Sequence, residues 1–73
     1  MSATLKLCRA IYRDNTVQEA IEAYQGLADI QLSVSDPYVL VTFSSCRYDE
    51  ETTVREFENY CIGLENKRQE VSN

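Results

Sequence analysis

The chain has 73 residues, of which seven are basic and twelve acidic, with no histidine and a formal net charge of −5. That balance argues against nucleic acid and anionic membrane surfaces as main partners, since both are held through clustered Lys and Arg. An apolar content of 44%, with two glycines and one proline, argues against a disordered chain.

Residues 4–13 alternate, with Leu5, Leu7 and Ile11 on one side and Cys8, Ala10 and Tyr12 on the other. That period of two predicts a first strand with one apolar and one mixed face. Asp14-Asn15 breaks it. Thr16 and Glu19 then have the spacing of a capping box, and Val17, Ala20, Ile21, Tyr24 and Leu27 follow at helical spacing. A helix over about 16–26 is expected, ended by Gly26 in the left-handed conformation. From Ala28 the period returns to two, and Ile30, Leu32 and Val34 share a face. Asp36-Pro37 predicts a type I turn with Pro in its second position. A third strand over about 38–46 puts Val39, Val41 and Phe43 inward, and the resulting hairpin sets Val34 near Val39 and Ile30 near Phe43. Asp49 opens a second helix whose inward stripe is Val54, Phe57, Cys61 and Leu64, flanked by Tyr60. That helix is expected to fray from about Glu70, and Gly63 within it marks either a close contact or a weak point.

A right-handed crossover between the first two strands leaves a slot for the third. The expected fold is α+β: a two-layer β-α-β-β-α domain with a three-stranded antiparallel sheet in the order 2-3-1. Both helices would cover the face carrying Leu5, Leu7, Ile30, Leu32, Val34, Val39, Val41 and Phe43, a ferredoxin-like arrangement lacking its last strand. One domain is expected over residues 1–73, ordered from about 4 to 69 with a short polar tail. A chain this small buries only about 60% of its unfolded surface, so support from a second copy is expected.

Catalytic constellations are not evident. Asp49, Glu50, Glu51, Glu56 and Glu58 fall in or near the first turns of a helix, where capping and the helix dipole account for them. The three cysteines, Cys8, Cys46 and Cys61, are odd in number and far apart, which reads as free thiols. Without His or a paired Cys motif a zinc site is not expected, and the two glycines form no phosphate loop, so no cofactor is expected. No apolar run approaches the ~20 residues of a membrane span, and Met1-Ser2-Ala3-Thr4 lacks the features of a signal peptide. A cytoplasmic, bacterial-type protein is the expectation.

The functional expectation is binding. An open outer edge on the first strand, or the uncovered sheet face, would present Lys6, Cys8, Ala10, Tyr12, Tyr38 and Leu40 to a partner. That partner would be a second copy, forming a homodimer, or another protein or extended peptide. Two other readings stand beside it: a thiol-based redox sensor or enzyme using Cys8 or Cys46, and a structural subunit of a larger complex.

Ile11-Tyr12, the stretch Val17 to Tyr24, and Ile30-x-Leu32-x-Val34 resemble the HxsD-like proteins of the His-Xaa-Ser peptide system. Glu56-Phe57-Glu58-Asn59-Tyr60-Cys61-Ile62 is similar to the C-terminal helix of that family, with Arg68 in the place of its Arg. The resemblance spans roughly residues 5 to 68. It implies a non-catalytic accessory protein associated with radical-SAM enzymes that modify ribosomally made peptides, and brings no catalytic residue with it.

Overall fold

The computed structural model describes the backbone of residues 2–71 and the side chains of residues 2–68. Its elements are β1 (Ser2–Cys8), α1 (Asp14–Tyr24), β2 (Asp29–Ser35), β3 (Tyr38–Ser44) and α2 (Glu50–Val71). The three strands form one antiparallel sheet in the order β1-β3-β2. The hairpin register is the expected one, with Val34 opposite Val39 and Ile30 opposite Phe43.

Alternation explains β3 in full. Val39, Val41 and Phe43 are at most 2% exposed, while Leu40, Thr42 and Ser44 on the other face are half-buried. Leu7 joins the inward residues from β1, Val17, Ala20 and Ile21 from α1, and Phe57 and Cys61 from α2, in one buried cluster. A run of edge-to-face rings crosses that cluster: Phe43 to Phe57 at 5.1 Å, Phe57 to Tyr24 at 5.6 Å, and Tyr24 to Tyr60 at 5.7 Å. Such pairs add to simple area burial.

Several expectations need correction. β1 ends at Cys8 rather than running to residue 13. The Cys8 carbonyl accepts hydrogen bonds from the amides of both Ile11 and Tyr12, each 3.0 Å, which curls the chain into a turn. Ile11 is therefore 64% exposed instead of facing the core. α1 starts two residues early, at Asp14, and the Thr16 hydroxyl makes no capping bond. Gly26 does not adopt a positive φ, and the residue in the left-handed region is Ser45, at φ 51°. Asp36 and Pro37 are themselves the two linking residues between Ser35 and Tyr38, which puts Pro37 in the third turn position; the bond between them is cis.

The buried stripe of α2 is rotated from the one the apolar residues suggest. It runs Thr53, Phe57, Cys61, Glu65 at intervals of four, with Val54 and Leu64 only half-buried on its flanks. Helical backbone is described to Val71, and residues 72 and 73 of the expected tail lie outside the described residues. Nothing lies within 4 Å of where a Cβ on Gly63 would stand, so Gly63 marks no close contact.

The largest departure is on β2. Ile30 packs against the core, but Leu32 is 43% and Val34 58% exposed. The helices cover the β1 and β3 part of the inward face and leave the outer half of β2 bare.

Candidate partner-binding surfaces

The register fixes which backbone groups are free. The Arg9 amide donates to the Pro37 carbonyl at 3.0 Å, so Pro37 directs its backbone toward β1. Antiparallel strands alternate in this respect, and no bulge interrupts either ladder. Val39, Val41 and Phe43 therefore bond to β1, and Tyr38, Leu40, Thr42 and Ser44 to β2. On β1 this leaves the amides and carbonyls of Thr4 and Lys6, and the amide of Cys8, aimed away from the sheet. On β2 the groups of Ile30, Leu32 and Val34 are aimed outward. Among the described residues no strand pairs with either border.

β1's border has a weak guard. Inward or edge-standing Lys commonly protects such borders, but Lys6 folds back over the sheet face, its Nζ 4.3 Å from the centre of the Tyr38 ring. Alongside the border runs α2, and a shallow pocket there is lined by Ala3, Glu50, Glu51, Val54, Arg55 and Glu58. Arg55 is paired with Glu51 at 3.4 Å, so the pocket keeps an acidic excess.

The outward sheet face carries four of the expected site residues together: Lys6 opposite Leu40, and Cys8 opposite Tyr38. Thr4 lies opposite Thr42, their hydroxyls 3.4 Å apart. β2 adds only Asp29, Gln31, Ser33 and Ser35 to this face. Ala10 and Tyr12 are not part of it, because both lie in the turn after β1. Tyr12 packs against the core. Burial, followed by the nearby Glu58, Cys61 and Glu65, pushes its hydroxyl above its ordinary value.

Two polar links hold the surfaces in place, and neither was foreseen in the sequence. Arg9 bonds to Asp36 in the hairpin turn and to Asp14 at the start of α1, the latter at 3.1 Å. Glu65 reaches from α2 to the start of α1, where its Oε2 accepts from the Arg13 amide at 2.8 Å. Glu65 is 6% exposed. Burial pushes its carboxyl upward, but the Thr16 hydroxyl, the Arg13 amide and the Arg13 and Arg68 guanidiniums outweigh burial and hold it below the usual carboxylate range. Thr16 Oγ1 itself has no partner at hydrogen-bond geometry, so the Arg13 amide makes the formed hydrogen bond to this carboxylate. The N-terminus of α2 is capped locally: Asp49 Oδ2 accepts from the Thr52 amide at 2.9 Å and its hydroxyl at 2.8 Å, which lowers the Asp49 carboxyl.

The surroundings of Cys46 and Cys61 shift their thiols away from the depressed pKa that a nucleophile needs. Burial, then Glu50 and Asp49, push the Cys46 thiol up. Cys61 is fully buried and pushed up to about 11, by burial first and then by Glu58 and Glu65. Among the described residues no three Asp, Glu or Cys side chains converge as a metal site, and no helix is long and apolar enough to cross a membrane. Searched against protein-family models, curated proteins and solved structures, the chain matches none of them.

Proposed function

We propose that the chain is a small non-catalytic accessory protein that binds another protein, or an extended peptide, along the border of β1 and the adjoining sheet face. The supporting observation is the row of outward backbone groups on Thr4, Lys6 and Cys8, which an added strand would satisfy. In this reading the helices and sheet make a two-layer, ferredoxin-like domain lacking its last strand, and the partner occupies the missing position. Leu40, Cys8 and the Lys6–Tyr38 pair would take alternate side chains of the partner on the open face. Side chains on the opposite side of the added strand would meet the acidic flank of α2 at Glu50, Glu51 and Glu58. The preferred ligand is accordingly an extended segment with a Lys or Arg on its helix-facing side. The HxsD-like resemblance points the same way, to a cytoplasmic bacterial accessory factor of a peptide-modification system.

The test is co-purification of partners with the tagged full chain from the cells that make it. Leu40→Lys charges the sheet face, and Cys8→Pro removes an outward donor without touching the ladder to β3. With folding of both variants verified by circular dichroism, loss of the wild-type partner is expected in each. Retention of that partner by both folded variants would remove the basis for this function.

A further inference from the structure

We infer that a second copy of this chain docks on the other border, pairing β2 with β2 about a two-fold axis at Leu32. β2 is seven residues long, Asp29–Ser35, and Leu32 is its central residue. Full antiparallel overlap of two copies therefore places Leu32 opposite the partner's Leu32, and Ile30 opposite the partner's Val34. On the opposite face Gln31 meets the partner's Ser33, and Asp29 meets the partner's Ser35. Every apolar residue faces an apolar one and every polar residue a polar one, which is the self-complementarity that a two-fold interface demands. The backbone agrees, because Leu32 is one of the residues whose amide and carbonyl point outward, so the central pair exchanges two hydrogen bonds.

Burial and charge select this occupant and this border. Leu32 and Val34 are 43% and 58% exposed on the side of the sheet where their neighbours are buried. With Val17 and Val39 they line a groove rimmed by Asp14, Asn15 and Gln18. Two copies joined at β2 make this groove continuous with its twin, so the exposed side chains pack on their symmetry equivalents. Residues 30–35 carry no charge and the one charged residue of the strand, Asp29, faces the partner's Ser35, so two chains of net charge −5 meet there with no like charges directly opposite. The same union at β1 would bring two acidic α2 flanks together. β2 also lacks the usual guards of a free border: it has no Lys, no Pro and no bulge. The result is a six-stranded sheet, β1-β3-β2-β2-β3-β1, with both β1 borders left open.

Sedimentation equilibrium of the full chain over a range of concentrations tests this. Wild type is expected to be a dimer at the upper end. Leu32→Lys sets two ammonium groups face to face on the axis and removes the central apolar pair, weakening association roughly a hundredfold or more. Leu32→Glu does the same with two carboxylates. Leu32 is partly exposed, and a long side chain there can carry its charge to water, so both variants keep the monomer fold. An equimolar mixture of the two variants restores the dimer as a hetero-pair, which a misfolded variant would not do. A wild type that stays monomeric, a Leu32→Lys variant that dimerises like wild type, or a mixture that stays monomeric overturns the inference. These variants leave β1 intact, so failure here is distinguishable from failure of the β1 reading.

Discussion

Replacing Glu65 tests the link between the two helices. Its carboxylate takes the place of a local cap at α1, where the N-cap residue is Arg13 and makes no side-chain capping bond. The charge-assisted bond from the Arg13 amide at 2.8 Å is of the kind worth about 1.5–3 kcal/mol. The Arg13 guanidinium lies 3.8 Å away, but its side chain is 62% exposed, so solvent screening leaves little from that pair. Glu65→Ala should therefore cost about 2–3 kcal/mol, most of the roughly 3–5 kcal/mol that one small core supplies. Glu65→Gln keeps a neutral acceptor and should cost about 1 kcal/mol. For a domain this size each kcal/mol moves the melting temperature by about 4–8 °C, so the Gln variant should melt about 4–8 °C below wild type at neutral pH. The folded-state carboxyl is depressed below its unfolded value. Its contribution is thus fully present above the unfolded pKa of about 4.3 and is lost as pH falls through the folded value. Thermal melts by circular dichroism across that range should show the gap between wild type and Glu65→Gln closing in acid. Equal melting at neutral pH, or a gap that persists unchanged into strong acid, would refute the cross-helix cap.

Three further outcomes follow from the core and from α2. Phe57→Ala removes a fully buried ring that meets both Phe43 and Tyr24 edge-on; a loss of about 3–5 kcal/mol should leave the chain largely unfolded at room temperature by circular dichroism. Gly63→Ala, at an exposed helical position with open space around the added methyl, should stabilise by about 1 kcal/mol in urea melts. Cys61 should resist a thiol reagent at pH 8 until denaturant is added, because its thiol is buried and pushed up to about 11; rapid labelling of Cys61 in the native chain, read by mass spectrometry, would contradict that burial.

The hairpin was legible in the sequence because alternation and the Asp36-Pro37 link both constrain it, and one register satisfies both. Sheet order followed from connection handedness once the hairpin was placed. The end of β1 was not legible. Alternation continues through Ala10 and Tyr12 with no Gly or Pro, and the turn is fixed by two amides converging on the Cys8 carbonyl. Hydropathy also hid the true buried stripe of α2, since its ends are the polar Thr53 and Glu65; the four-residue spacing from Phe57 and Cys61 was the available signal. Of the expected site, Lys6, Cys8, Tyr38 and Leu40 assemble because strand pairing alone positions them. The bare half of β2 escaped notice because a strand pattern tells which side chains share a face, not how far the helices extend across it.

Two unsatisfied borders on opposite sides of one sheet make the molecule divalent in main-chain bonding. If β1 of one molecule met β2 of the next, nothing in the geometry would close the series, and the product would be a ribbon growing with concentration. Pairing β2 with itself, as inferred above, would use up one border of every subunit and halt that head-to-tail growth at two.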